Sequence, residues 1–170
     1  MVKVRMSSMN GETATPAGVR IAPAGGKGFG VFATHTFDPG EVVIAARKVR
    51  ELPRRTSHSL QIGWDRHIEV DLPARLVNHS CDPNVGIRDN DCDAYDFVAL
   101  TDIAADEEIT WDYAASEWVS IAVPTCRCGS ASFRGASLGY QYLSPRQTAG
   151  LHGYTARYLT TPRQADDNRE

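Results

Sequence analysis

A chain of 170 residues with 42% hydrophobic content is the size of one ordinary domain and can fill one continuous core. Its 18 basic and 21 acidic residues give a formal net charge of -3, so no excess positive field draws it to a phosphate backbone or an anionic membrane, and direct nucleic-acid binding is not expected. Met1 to Asn10 lacks the pattern of a signal peptide, no stretch approaches the roughly 18–20 apolar residues of a membrane span, and four cysteines are too few for a disulfide scaffold, which together predict a cytoplasmic protein with no membrane association.

Residues 1–18 are polar and rich in Ser, Thr and Gly, and read as a flexible lead-in. Val19-Arg20-Ile21 predicts a short strand, and Gly25-Gly26-Lys27-Gly28 a tight turn into the apolar strand Phe29 to Ala33. Asp38-Pro39-Gly40 is a turn, followed by a β-branched strand over Glu41 to Ala46. Glu51 to Ser59 is polar and reads as a loop. Ser59 to Trp64 and Arg66 to Val70 alternate, predicting a hairpin that turns near Asp65. Leu76 to Cys81 is a short segment stopped by Asp82-Pro83-Asn84. Two strands, Val85 to Arg88 and Tyr95 to Leu100, flank a polar turn, and Ile109 to Tyr113 is a further β-type run. In the tail, Pro145 to Leu159 predicts a helix, because Leu151, Tyr154 and Tyr158 recur at spacings of three and four, although Gly150 and Gly153 weaken it by about 1 kcal/mol each relative to alanine. The fold class expected is mostly β, with short strands and a helical C-terminal tail.

Three clusters carry chemistry. Lys27-Gly28-Phe29-Gly30 flanks an aromatic with glycines that expose bare amides and carbonyls, but it continues as a strand and lacks a third glycine, so it is not a nucleotide-phosphate loop. Arg75-Leu76-Val77-Asn78-His79-Ser80-Cys81-Asp82-Pro83-Asn84 mixes a cation, amides, an imidazole and a thiol while Leu76 and Val77 take it into the core; Asn84 alone suits a backbone-bonding turn role. Glu107-Glu108-Ile109-Thr110-Trp111-Asp112-Tyr113 ends in a tyrosine whose hydroxyl suits orienting an amine in a closed pocket.

In this order and spacing the three clusters resemble the SET-domain methyltransferases, the family of most protein lysine methyltransferases, over roughly Val19 to Gly135. The resemblance implies a SET fold of several small sheets with a pseudoknot in which Asn78 and Tyr113 meet. It divides the chain into a lead-in (1–18), a catalytic domain (19–120), a cysteine-bearing tail with the C-terminal helix (121–160) and a frayed end (161–170). It also implies binding of S-adenosylmethionine by Lys27, Gly28, Phe29 and Gly30 near the amino-acid end, by Asn78 and the His79 backbone near the adenine, and by Tyr113, which would be the catalytic tyrosine. Arg75 and Asp112 are expected to brace the knot, and His79 to be a buried ring rather than a general base.

Many family members close the site with a zinc held by the cysteine of this string and three from a Cys-x-Cys-x4-Cys tail. Cys81, Cys126 and Cys128 match, but Phe133 stands where the last cysteine belongs, and Cys92 is the only thiol left. Three thiolates leave a tetrahedral site incomplete. The alternative has the thiols packing as apolar filler, with Phe133, Tyr140 and Tyr142 covering the cofactor instead. Arg47, Lys48, Arg50, Arg54, Arg55 and Arg66 make the 47–74 insert locally basic, a candidate surface for acidic sequence around a target lysine. The expected acceptor is a protein or peptide lysine; a small amine and a catalytically idle interaction module are the alternatives, and the sequence is compatible with a homodimer.

Overall fold

Short β-branched runs, each cut off by glycine or proline turns, leave no element long enough to dominate the architecture. The computed structural model describes residues 17–163; most of the expected lead-in and most of the expected frayed end lie outside the described residues. The strands are β1 (Val19–Pro23), β2 (Phe29–Ala33), β3 (Val42–Ala45), β4 (Lys48–Leu52), β5 (Leu60–Gly63), β6 (Arg66–Val70), β7 (Asn78–His79), β8 (Val85–Asp89), β9 (Tyr95–Ala99) and β10 (Glu108–Trp111). They form three sheets, ordered β1-β2-β10-β7, β3-β9-β8 and β4-β6-β5. This is the mostly β arrangement of several small sheets that the sequence predicts.

The core lies where the sheets face one another. Val31 and Ile109, opposite each other on β2 and β10, are fully buried, as are Ile87, Tyr95 and Phe97 of the second sheet and Ile68 of the third. Each such side chain contributes about 1.5–3 kcal/mol through burial. Phe97 meets Trp111 edge-on at 5.5 Å between ring centroids, locking the second sheet against the end of β10. The Tyr95 hydroxyl donates to the Gln61 carbonyl at 2.5 Å, tying the same sheet to β5.

β4 occupies part of the segment expected to be a loop. Its middle residues are solvent-exposed, so it lacks the buried alternation that marks a strand. It is held by its ladder with β6 and by ion pairs: Arg50 with Glu69 at 2.6 Å and Arg66 with Glu51 at 3.0 Å. Lys48 pairs with Asp93. Three of the six basic residues read as a patch in the insert, Lys48, Arg50 and Arg66, are therefore paired with acids from neighbouring strands and turns.

The predicted tail helix is two short ones, α1 (Pro145–Ala149) and α2 (Arg157–Thr160). A capping box between Ser144 and Gln147 starts α1 with Pro145 in its first turn. The break falls where His152 and Gly153 take φ of 52° and 80°. It lets Tyr154 lie across Gly86, where an added Cβ would sit 2.3 Å from the Tyr154 Cβ. No described helix is long and apolar enough to cross a membrane.

Candidate active site

A cavity of about 860 Å³ opens between the Gly26–Phe29 turn, the loop 56–60, the segment 74–79, Trp111, Tyr113, Glu117 and the tail 120–127. Its size is that of a small-molecule site.

The cavity wall is set by β7, which pairs in parallel with β10, Asn78 opposite Thr110 and His79 opposite Trp111. Asn84 extends this pairing with its side chain, accepting from the Thr110 amide at 2.9 Å and donating to the Glu108 carbonyl at 2.9 Å. Asn78 Nδ2 donates to the Phe29 carbonyl at 3.0 Å and to Glu108 Oε1 at 2.9 Å, while Lys27 Nζ donates to Glu108 Oε2 at 2.5 Å. The Lys27 and Asn78 side chains thus hold the wall together through Glu108 and the Phe29 carbonyl. Gly30, predicted as a cofactor contact, does not line the cavity. An added Cβ there would fall 2.7 Å from Glu108 Oε1 and 2.9 Å from Asn78 Nδ2, so glycine is needed for the wall's hydrogen bonds to form. Gly28, at φ 86°, has nothing within 4 Å of such a Cβ, leaving its backbone open to approach.

Tyr113 follows β10 and its hydroxyl donates to the Val77 carbonyl at 3.0 Å. Burial pushes its pKa well up, so the hydroxyl stays protonated. Tyr113 and the 77–79 segment do meet, through Val77 and through His79, whose ring lies 5.3 Å from the Tyr113 ring; the Asn78 side chain points to the glycine turn instead. His79 Nδ1 accepts the Tyr113 amide at 3.3 Å and Nε2 lies 3.4 Å from Cys81 Sγ. Burial lowers the ring's pKa to about 4, and with both nitrogens occupied it is a neutral structural group.

Behind this wall Asp112, 2% exposed in its side chain, accepts two hydrogen bonds from Arg134 at 2.7 Å each. This bidentate pair pins the tail to the end of β10. Arg75 takes no part in it and pairs with Glu69. Arg127 Nη1 reaches back to the Gly26 carbonyl at 3.3 Å, closing the tail over the glycine turn. Residues 56–59, which line the cavity, belong to the loop expected over Glu51 to Ser59, whereas Arg134, Arg127 and Glu117 escaped the sequence reading. Only Arg134 had a signal there, in its place directly after Phe133.

The thiols divide differently from expectation. Cys81 and Cys126 sulfurs lie 3.7 Å apart and group with His79 Nε2 within 4.8 Å, whereas Cys128 lies outside this group with its sulfur 3.3 Å from the Ser130 hydroxyl. Burial pushes the Cys81 thiol up to about 12. Burial also raises Cys128, but the Ser130 hydroxyl and neighbouring amides outweigh it and bring the thiol down to about 6. Cys92 is exposed in the β8–β9 turn and Phe133 is 53% exposed. Three donors, one of them an imidazole whose other nitrogen accepts an amide proton, do not complete a closed tetrahedral zinc site. Neither Phe133 nor Tyr140 nor Tyr142 lines the cavity.

A family model described as the SET domain matches residues 28–114. The chain is 42% identical over 66 residues to an H3 lysine-4 specific histone-lysine N-methyltransferase of Emericella nidulans, covering 36% of this chain and 5% of that protein. It is 33% identical over 95 residues to the histone-lysine N-methyltransferase met-2 of Caenorhabditis elegans, covering 45% and 7%. The methyltransferase flvH of Aspergillus flavus is 29% identical over 91 residues, covering 52% of this chain and 49% of that protein. A solved structure, KRYPTONITE in complex with mCHG DNA and SAH, superposes with a TM-score of 0.53 at 20% identity over 69% of this chain and 28% of that one, a likeness of fold. The chain thus spans only a small part of the histone-lysine relatives it matches. Their names overturn the cytoplasmic expectation, because histones are nuclear substrates and the lack of a signal or span never separated nucleus from cytosol.

Two outcomes follow from the tail geometry. Arg134→Met leaves Asp112 buried and unpaired and is expected to cost about 3–5 kcal/mol in urea unfolding, part of which Asp112→Asn in the same chain restores. Elemental analysis of protein purified without added zinc is expected to find well under one zinc per chain, with the thermal midpoint unmoved by EDTA; a one-to-one ratio would contradict the incomplete donor set.

Proposed function

The chain belongs to the SET-domain family, whose model spans residues 28–114, and from that premise we propose that it is an S-adenosylmethionine-dependent N-methyltransferase acting on the ε-amine of a protein or peptide lysine. The observation that carries this reading is the convergence of the glycine turn, the Asn78-His79 strand, the Val77 carbonyl and the Tyr113 hydroxyl on one cavity. A small-molecule amine calls for the same chemistry, but the sequence relatives named for an acceptor are named for histone lysines.

S-adenosylmethionine, when bound, supplies a methyl group already activated on a sulfonium. The Gly26–Phe29 backbone and the main chain of Asn78 and His79 are the groups to hold it, since the Lys27 and Asn78 side chains are engaged with Glu108. The protein's remaining task is to present an uncharged amine in line. A lysine ammonium, with a reference pKa of about 10.4, cannot attack while protonated, and withdrawal from water favours its neutral form. The Tyr113 proton is committed to the Val77 carbonyl, which leaves the phenol oxygen's lone pairs to orient the amine N–H bonds. His79 takes no proton, having no free nitrogen.

The test is transfer of a radiolabelled methyl group to core histones and to lysine peptides. Tyr113→Phe is expected to slow transfer by on the order of 10²-fold, with cofactor affinity within twofold of wild type and stability lowered by about 1 kcal/mol for the lost hydrogen bond. Turnover at the wild-type rate would remove Tyr113 from the mechanism.

A further inference from the structure

Glu117 is the one carboxylate lining the cavity among the described residues. It lies one turn beyond Tyr113, its amide donating to the Tyr113 carbonyl at 3.0 Å, and it is 7% exposed. Its Oε1 accepts from the Gln61 amide at 2.9 Å, and among the described residues nothing hydrogen-bonds Oε2. The Gln61 side chain grips the same segment, accepting from the Trp118 amide at 3.1 Å and donating to the Gly63 and Trp64 carbonyls at 2.9 and 3.0 Å. β5 therefore holds this carboxyl in a fixed place. No ion pair neutralises it among the described residues, for Arg55, the cation whose field reaches it, donates to the Val119 carbonyl at 2.8 Å. Oε1 is anchored while Oε2 is left to the cavity, where a ligand can meet it in place of water.

Resting on the methyltransferase reading, we propose that Glu117 is the anionic anchor for the acceptor: its unpartnered oxygen takes the acceptor's ammonium and receives the proton that the nitrogen must lose before attack. One N–H bond breaks and one O–H bond forms, R–NH3+ and the Glu117 carboxylate becoming R–NH2 and the Glu117 carboxylic acid, which later releases its proton to solvent. The methyl group then meets a neutral amine. Lys27, Arg75 and Arg127 also line the cavity, but none of them pairs with Glu117, so its end of the cavity favours a cationic amine over a neutral nucleophile of the same shape.

Burial pushes the Glu117 carboxyl up to about 7. The groups that face it are Arg55 from the loop after β4, Tyr95 from β9, Tyr113 after β10 and Tyr158 from α2, and burial holds all three phenols far above neutrality. Because the carboxyl's pKa is raised, it is neutral below about pH 7 and gains its charge, and with it the ability to hold an ammonium, as pH rises through that value.

The probe is n-butylammonium, a lysine side chain without its backbone, titrated calorimetrically into protein with S-adenosylhomocysteine present, with n-butanol as the uncharged control. Butylammonium affinity is expected to rise about tenfold from pH 6 to pH 8 as the carboxyl ionises, with butanol binding weakly and without pH dependence. Glu117→Gln keeps an oxygen for the Gln61 amide and is expected to retain the thermal midpoint and the S-adenosylhomocysteine affinity while losing at least tenfold in butylammonium affinity and its pH dependence. Equal binding of butylammonium by both proteins, equal binding of butanol and butylammonium, or binding of neither by the wild type overturns the proposal. If the Gln variant does not fold, the wild-type comparison of the two probes across the same pH range decides alone. Loss of S-adenosylhomocysteine binding by folded wild type would defeat the methyltransferase reading, whereas its retention without charge preference defeats only the role of Glu117.

Discussion

The site depends on a parallel pairing two residues long. Asn78 and His79 lie beside Thr110 and Trp111, and this is the one parallel contact among strands that otherwise pair antiparallel in the described residues. So short a ladder contributes little by itself. It persists because side chains reinforce it from both directions: the Asn84 amide bonds the β10 backbone, and Glu108 on β10 receives both Asn78 and Lys27. Through those bonds the glycine turn, β7 and β10 share one frame, and Tyr113 is delivered to the Val77 carbonyl as a consequence.

Charge is distributed with the same economy. Around the cavity most ionic groups are already matched: Lys27 with Glu108, Asp112 with Arg134, Arg75 with Glu69. Of the basic residues that line the cavity, Lys27 and Arg75 are paired with acids and Arg127 donates to the Gly26 carbonyl. The unmatched carboxyl of Glu117 stands out against that background, and its place beside Tyr113 gives the cavity a cation-seeking end. Removing water from such a place strengthens the attraction between a carboxylate and an ammonium.

Much of the fold was legible because its signals are local. The hairpin of β5 and β6, the strand after the glycine turn and the β8–β9 pair follow from alternation and turn residues within a few positions. The Asn-His-Ser-Cys string and the Asp112-Tyr113 pair were legible as a family pattern. β4 was not, because an exposed edge strand carries no hydrophobic alternation and depends on ion pairs to β6. The tail helix was overextended because periodic Leu151, Tyr154 and Tyr158 report burial but not the left-handed backbone at His152 and Gly153 that redirects the chain. Cys128 matched the family's spacing yet turns toward Ser130, and the imidazole of His79 takes a place beside Cys81 and Cys126 that spacing alone does not reveal. Glu117 had no sequence signal at all: its meaning comes from Gln61, a residue far away in the chain that fixes one oxygen and leaves the other to the cavity.

The most direct test of the account is calorimetric titration of S-adenosylmethionine into wild-type protein and into Asn78→Ala, with circular dichroism to establish that each is folded. Saturable one-to-one binding by the wild type and a loss of at least tenfold in the variant are expected, because removing the Asn78 amide frees Phe29 and Glu108 and loosens the wall that the pairing holds. Folded wild-type protein that binds no cofactor, or an Asn78→Ala variant that binds as tightly as the wild type, would contradict it.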